Sequence, residues 1–218
     1  MSLELQIKND HTKKQGIYAV SRKATRKDIP LGFEMAEHID AAEQEWADKY
    51  GMKAWAIAHA QLTTSTEPVC IFVVHPSLTE PDENGKPLNP LNAGFPARAI
   101  FNPQIISAEK ELVTYKPVRK TVFNEKTGKR EIHDNVKEEV RTPNIFEPKE
   151  GCMSFPHRKP KKVQRVYRMT VRYWYPRKIF GFWVLWRRTE RVEGLKSQIF
   201  SHEIEHMEGA NIYYDKQM

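Results

Sequence analysis

Ser201-His-Glu-Ile-Glu-His206 lies near the end of the chain, inside the longer stretch Gln198-Ile-Phe-Ser-His-Glu-Ile-Glu-His-Met-Glu-Gly209. Because an α-helix has 3.6 residues per turn, His202 and His206 project from the same face of a helix. Two imidazoles at this spacing can bind one metal ion, and Glu203 beside them can take a proton from a water that the ion activates. The alternative is a solvated surface helix on which His and Glu residues are scattered.

The residues around the two histidines favour a helix with one buried face. Leu195 and Ile199 precede His202 and His206 in steps of three and four, which is the period of such a face. Catalytic metal sites commonly use three protein ligands. Only twelve residues follow His206, so the third ligand is expected upstream. The segment Glu150-Gly-Cys-Met-Ser154 offers a thiolate beside a glycine, where the chain can approach an ion closely.

Length and composition limit the class of protein. A chain of 218 residues can bury a core without disulfide bonds, and its two cysteines, Cys70 and Cys152, exclude a disulfide framework. No apolar run approaches the roughly 18 residues that a membrane span needs. The N-terminus lacks the apolar segment of a secretory signal. The expectation is therefore a cytoplasmic protein with one domain and insertions, and with no membrane partner.

The chain is basic, with a formal net charge of +7 and an isoelectric point near 9.3. Much of the positive charge lies between Arg158 and Arg191, interleaved with aromatic residues. Clustered positive charge attracts phosphate, so one interpretation is a surface for RNA or for a ribosome. The other interpretation is that these side chains are the solvated faces of amphipathic strands.

Hydrophobic periodicity and turn residues predict an α+β fold, with mostly antiparallel strands packed around a C-terminal helix. A helix is predicted from Gly32 to Tyr50, and Gly51 is a suitable stop. The other predicted elements are a buried strand at 68–74, a loop at 75–96, a strand at 97–106 broken at Asn102-Pro103, a long hairpin at 108–147 turning at 126–128, and a strand at 165–175 that pairs with 182–191 across a 176–181 loop.

Three segments together resemble the peptide deformylases, whose motifs occur in the order G-x-G-x-x-A-x-Q, E-G-C-x-S and Q-H-E-x-D-H. The matching segments here are Ala54-Trp-Ala-Ile-Ala-His-Ala-Gln61, Glu150-Gly-Cys-Met-Ser154 and Ser201-His-Glu-Ile-Glu-His206. The second motif matches fully, and the third matches at both histidines and at the glutamate between them. The resemblance covers roughly residues 32–215.

The resemblance implies a role for each matched residue. Cys152, His202 and His206 would hold one divalent ion, usually Fe(II) in this family, and a thiolate with two imidazoles also admits Zn, Ni or Co. Glu203 would be the general base, and Gln61 and the backbone N–H of Met153 would stabilise the oxyanion. The expected substrate-binding residues are Ala54, Trp55, Ala56, Glu150, Gly151, Gln198 and Ile199.

The chain departs from the family motifs at several positions. Ala54 and Ala56 replace both glycines of the first motif, Ser201 replaces the glutamine before the first histidine, and Glu205 replaces the aspartate. None of these changes touches a metal ligand. We therefore expect altered substrate fit and unaltered metal chemistry.

The resemblance implies an enzyme that removes the formyl group from the N-terminal formylmethionine of newly made polypeptides. Residues 1–31 are expected to be an N-terminal extension, and 32–218 a catalytic domain with insertions near 76–96 and 108–147. The expected partner is a formylated nascent peptide. Two alternatives stay open: a deformylase-like protein with weak or no activity that binds RNA or ribosomes through its basic strands, and a zinc peptidase.

Overall fold

The computed structural model describes residues 18–51, 54–62, 67–79 and 93–213. Most of the predicted insertion at 76–96, and the predicted N-terminal extension as far as residue 17, lie outside the described residues. Three α-helices are α1 Ile29–Tyr50, α2 His59–Leu62 and α3 Gly194–Met207. The strands are β1 Ala56–Ala58, β2 Ile71–Val74, β3 Ala99–Ala108, β4 Glu111–Asn124, β5 Lys129–Pro143, β6 Ile145–Phe146, β7 Lys149–Glu150, β8 Lys161–Lys162, β9 Arg165–Val166, β10 Arg168–Ile179 and β11 Phe182–Glu193.

A five-stranded antiparallel sheet in the order β1-β2-β3-β10-β11 forms the middle of the molecule. One face of β2, with Ile71 and Val73, packs with α1 in one core cluster. The other face, with Phe72 and Val74, packs with α3 in a second cluster. Burial on both faces explains why β2 is a continuous apolar run instead of an alternating one. The predicted α+β class is confirmed.

The first helix confirms the predicted helix and its stop. α1 buries Met35, Ile39 and Trp46 and ends at Gly51, whose φ of 62° is the left-handed conformation that glycine favours at a helix end. Gly32 is needed for a different reason. A Cβ there would lie 2.7 Å from the Phe101 ring, so only glycine lets α1 approach β3 this closely.

The predicted break at Asn102-Pro103 is wrong, because β3 continues through both residues. A register shift opposite Tyr173 accommodates them as a bulge, and Asn102 adopts a positive φ of 47°. The Asn102 side chain donates to the backbone O of Ala24 and accepts from its N–H, at 2.9 and 2.7 Å. These two hydrogen bonds join the segment before α1 to the sheet and stabilise the bulge.

The predicted long hairpin is confirmed as β4 and β5, which pair from Glu111–Pro143 to Asn124–Lys129. Most of its side chains on both faces are exposed to solvent. At the base, buried Asn144 donates to the carbonyl oxygens of Glu109 and Arg168, both at 2.7 Å. The hairpin is therefore joined to the rest of the structure by hydrogen bonds at its base, and its two strands contact mainly each other.

The second hairpin, β10–β11, is longer than predicted. Its strands pair as far as Ile179 and Phe182, so the predicted loop at 176–181 shrinks to a turn at Phe180-Gly181. Both turn residues have positive φ, as two-residue hairpin turns that match strand twist require. Several arginines of these strands form ion pairs with carboxylates, namely Arg168–Glu193, Arg188–Glu190 and Arg191–Glu109. A surface for RNA or ribosomes on these strands stays a prediction.

None of the helices in the described ranges combines the length and apolarity that a membrane crossing requires.

We predict that the β4–β5 hairpin is dispensable for folding. Joining Leu112 to Thr142, which lie opposite each other, through an Asn-Gly turn removes side chains that are largely solvated. The melting temperature is expected to stay within about 5 °C of the parent protein, since little buried area is lost. Thermal unfolding followed by circular dichroism checks this, and a shortened protein without a cooperative transition contradicts it.

A second prediction concerns His59, which is buried and accepts the N–H of Val69 on Nδ1 at 2.9 Å. Burial lowers the pKa of His59 to about 4. The folded state therefore binds the proton less readily than the unfolded state. The stability that neutral His59 contributes is present above about pH 6.5 and is lost as pH falls towards 4.

Between pH 7 and pH 4, the free energy of unfolding should fall by about 3 kcal/mol more in the parent protein than in His59→Asn, whose amide oxygen can also accept from Val69. Urea denaturation of both proteins without metal, at several pH values, measures the difference. Parallel pH profiles for the two proteins would show that His59 does not carry this dependence.

Candidate metal centre and its cleft

The C-terminal helix brings the two histidines together. Their Nε2 atoms lie 3.2 Å apart on one face of α3, and their rings meet edge to face. His206 is fully buried and His202 is partly exposed. Ile199, one turn earlier on the same face, packs in the core against the sheet, which fixes the orientation of the helix. The predicted inward face of α3 is confirmed.

Cys152 reaches the same point from a different segment. After β7 the chain makes a tight turn in which the N–H of Phe155 donates to the Cys152 carbonyl oxygen at 2.9 Å. This turn buries the thiol and leaves its Sγ 3.3 Å from Nε2 of His206. Donor atoms of Cys152, His202 and His206 all lie within 4.8 Å of one another.

This donor set fits a single divalent ion. Bonds of about 2.0–2.1 Å to nitrogen and 2.3 Å to sulfur separate neighbouring ligands of a tetrahedral zinc site by about 3.3–3.6 Å. The observed separations of 3.2 and 3.3 Å are close to these values. One thiolate and two imidazoles suit iron, zinc, nickel or cobalt better than calcium or magnesium, which prefer oxygen ligands.

A buried ionic network supports the histidines, and its central residue, Arg165, was not among the predicted site residues. Arg165 on β9 donates to both carboxylate oxygens of Glu150, at 2.8 and 2.7 Å, and also binds Glu205 on α3. The second partner of Glu150 is Nδ1 of His202, at 3.1 Å. A hydrogen bond to Nδ1 leaves Nε2 of His202 for a metal ion.

The charges of this network shift the pKa values of its members. Burial alone would raise the pKa of Glu150, but bonds from Arg165 and His202 hold it below its ordinary value. Burial likewise opposes charge on His202, yet its bonds to Cys152 and Glu150 raise its pKa well above the ordinary value. For His206 burial dominates and lowers the pKa. One carboxylate thus stays ionised beside the donor set.

Glu205 replaces an aspartate of the family motif, and its longer side chain reaches Arg165. A buried guanidinium needs carboxylate partners, because an unpaired buried charge is costly. The sequence carried one signal for Arg165: the motif residue Glu150 must itself be buried close to the ion and requires a cation. That signal does not identify which of the many arginines supplies the charge.

Glu203 lies at the inner end of the cleft with a side chain that is only 3% exposed. Its Oε2 has no hydrogen-bond partner among the described residues. Burial raises the pKa of Glu203 to about 7. The Glu203 carboxyl group is therefore buried beside His202, and its Oε2 can accept a hydrogen bond or a proton from a molecule in the cleft.

Gln61 lies on α2 and points its amide towards Cys152. Its Oε1 accepts the N–H of Ala58 at 2.9 Å, which fixes the amide orientation. The Nε2 lies 3.6 Å from Sγ of Cys152 and 3.4 Å from Oγ of Ser154. A neutral donor is thus held rigidly beside the three ligand atoms.

A cleft of about 510 Å³ opens over the donor set. Every residue that the sequence indicated for substrate binding lines it, namely Ala54, Trp55, Ala56, Glu150, Gly151, Gln198 and Ile199. Gln61, Met153, His202 and Glu203 also line it, whereas Cys152 and His206 lie buried beneath its surface. Three further lining residues, Lys149, Pro160 and Leu195, were not predicted.

The family model described as polypeptide deformylase matches residues 10–217 of the sequence. This match begins within the segment that we expected to be an N-terminal extension. Comparison with curated proteins found no match.

Solved structures with a similar fold include a peptide deformylase from Thermotoga maritima, 17% identical with a TM-score of 0.53 over 97% of this chain and 95% of that chain. A class I type b peptide deformylase from Acinetobacter baumannii is 14% identical with a TM-score of 0.53 over 97% of both chains. Its Met-Ala-Ser-bound structure is 14% identical with a TM-score of 0.50, covering 97% of this chain and 96% of that chain. At these identities the likeness shows the fold.

We predict that the protein binds one divalent ion and that Cys152→Ser or His206→Ala releases it, because two remaining protein ligands hold an ion poorly. Elemental analysis after dialysis measures the metal content of each variant. Cys70→Ser is the matched control, since the Cys70 sulfur contacts Met207 and is not one of the three donors. Undiminished metal in Cys152→Ser would remove this cysteine from the site.

Proposed function

This chain belongs to the polypeptide deformylase family, and on that premise we propose that it removes the formyl group from N-terminal formylmethionine of newly made polypeptides. The observation that carries the proposal is the combination of three converging metal donors with a buried glutamate oxygen that lacks a partner, at the inner end of a cleft. A binding module needs neither feature. A metal-dependent hydrolase of an amide bond uses both, the metal to activate water and the carboxylate to take its proton.

Cys152, His202 and His206 would hold the ion, which we propose to be Fe(II), with Zn, Ni or Co also fitting the donors. When bound, such an ion supplies a Lewis acid that lowers the pKa of water and polarises the formyl oxygen. The anionic thiolate lowers the net charge of the centre. The Glu150 carboxylate, bonded to His202, keeps that imidazole oriented.

Glu203 acts as the general base and then as the general acid. Its free Oε2 takes the proton from the water that attacks the formyl carbon. After the C–N bond breaks, the same proton passes to the departing amine, so that the products are formate and a free N-terminus. Burial of Glu203 favours this exchange, because no other described group competes for Oε2.

Negative charge develops on the formyl oxygen as water attacks, and two neutral donors are proposed to stabilise it. Nε2 of Gln61 is held next to the ligand Cys152 by the bond between its Oε1 and Ala58. The backbone N–H of Met153 follows Cys152 directly and lies in the cleft wall. Fixed donors of this kind typically contribute about 10²- to 10³-fold to the rate.

The cleft suits an extended peptide. β1 is an edge strand of the five-stranded sheet, and no other strand of the described residues pairs with the side that faces away from β2. We propose that the substrate adds as a strand there, next to Ala56, because the Ala58 N–H already donates to Gln61. Ala54 and Ala56 lie along this part of the wall. Leu195 and Ile199 on α3 offer an apolar lining to the methionine side chain.

The alternative of a zinc peptidase has less support. Peptidases with two histidines on such a helix usually take the third ligand from downstream, whereas here the third donor is Cys152, which precedes the helix. The alternative of a weakly active protein that binds RNA or ribosomes stays a prediction. Its basic strands are partly neutralised by their own ion pairs.

The test of the proposal is formate release from formyl-Met-Ala-Ser by protein loaded anaerobically with Fe(II). Turnover should require the ion, stop on chelation and return when Fe(II) is restored. The same peptide with an acetyl group in place of formyl is the control for general amidase activity. A fully loaded, folded protein that releases no formate would contradict the proposed function.

We predict that Glu203→Gln keeps the ion and loses about 10²- to 10⁴-fold in kcat, since the amide cannot take the proton. Glu125→Gln, the same change at an exposed turn of the β4–β5 hairpin, is the matched control and should retain parent activity. Elemental analysis and formate release are measured on both variants. Near-normal turnover in metal-loaded Glu203→Gln would exclude the assigned base.

A further inference from the structure

Two lysines form a cross-strand pair beside the cleft, and one of them, Lys149, lines the cleft. In the short β7–β8 pair, Lys149 lies directly opposite Lys162, and Glu150 lies opposite Lys161. All three lysines are exposed. Like charges directly opposite each other on paired strands are destabilising. The Lys149–Lys162 pair therefore disfavours the pairing of these two very short strands.

No neighbour in the described ranges forms an ion pair with these lysines. Residues 151–189 contain no Asp or Glu. Glu150 is adjacent, but its carboxylate is occupied by Arg165 and His202. Within the described part of the chain, no carboxylate lies within ion-pair distance of Lys149, Lys161 or Lys162, and Lys161 makes only a cation–π contact with Tyr213. The three lysines thus form a rim of positive charge that has no carboxylate partner among the described residues.

The lysine rim borders the cleft that contains the candidate catalytic groups, and of the three lysines Lys149 lines the cleft. Lys149 and Pro160 line the cleft together with Gly151 and Glu203. Gly151 and Lys149 are two residue steps apart, which corresponds to about 7 Å of extended chain. In the proposed orientation, with the formyl group beside Gly151 and Glu203, an extended peptide would pass Lys149 with the first or second residue after methionine.

We propose that the lysine rim is a subsite for an acidic side chain at the first or second residue after formylmethionine of the substrate. The inference rests on the proposed function, since it uses the orientation of a formylated peptide in the cleft. A carboxylate there would relieve the repulsion between Lys149 and Lys162 and gain attraction from both. The protein would therefore select acidic N-terminal sequences among formylated chains.

The experiment compares C-terminally amidated peptides, so that the side chain supplies the only difference in charge. Formyl-Met-Ala-Glu-amide is compared with its Gln and Lys counterparts, and the series is repeated with the charged residue directly after methionine. In at least one of the two series, kcat/KM should be about tenfold higher for Glu than for Lys at low salt, with Gln in between. The preference should shrink in about 0.5 M salt, where charges are screened.

Substitutions at the lysines test whether the rim causes the preference for acidic peptides. Lys149→Gln and Lys162→Gln should each reduce the Glu-to-Lys ratio, and the double variant should bring it close to one. Lys126→Gln, the same change at the remote turn of the β4–β5 hairpin, should keep the parent ratio. A parent protein that hydrolyses all three peptides of both series equally would overturn the subsite and leave the deformylase function standing.

Binding of product peptides tests the subsite independently of turnover. Calorimetry should give a lower Kd for Met-Ala-Glu-amide, or for its counterpart with Glu directly after methionine, than for the matching Gln peptide, and Lys149→Gln should remove the difference. If no formylated peptide is hydrolysed, the function fails, and equal Kd values would then overturn the subsite as well. If Lys149→Gln leaves the peptide ratios intact but weakens binding of a single-stranded oligonucleotide, the rim serves a phosphate partner and the subsite is overturned.

Discussion

The ion pairs of Arg165 with Glu150 and Glu205 are the interaction on which the arrangement of the site depends. Arg165 comes from β9, Glu150 from the end of β7 and Glu205 from α3, so one guanidinium joins three separate segments. Burying these charges is costly, and the cost is offset only when all of them are paired. Removing Arg165 or Glu150, whose side chains are almost fully buried, leaves a buried charge without its main partner, whereas the Glu205 side chain is 34% exposed. The pairing therefore specifies one position of the Cys152 segment relative to the histidine helix.

The five-stranded sheet and α1 support the helix that carries the histidines. β2 is buried on both faces, with α1 on one side and α3 on the other, so the helix that carries the histidines rests on a rigid sheet. The β4–β5 hairpin leaves the body at Asn144, close to the start of β10, and does not line the cleft. The interpretation of this hairpin as an insertion into the family fold stays a prediction.

Local pattern in the sequence predicted much of the fold and the three donors. The step of four between His202 and His206 and the run of apolar residues in β2 are local signals that packing preserves. The missed features depend on contacts between distant segments. The strand through Asn102-Pro103 continues because Ala24 binds the Asn102 side chain, and Arg165 joins the site because β9 lies against α3. The opposition of Lys149 and Lys162 likewise follows from strand pairing, which periodicity does not specify.

X-ray absorption spectroscopy at the metal edge of the loaded protein tests the central claim most directly, namely that one thiolate and two imidazoles share a single ion. The account predicts one sulfur scatterer at about 2.3 Å and nitrogen or oxygen scatterers at about 2.0–2.2 Å, with the outer-shell pattern of two imidazole rings. A spectrum with only nitrogen and oxygen neighbours would contradict it, because Cys152 would then lie outside the coordination sphere.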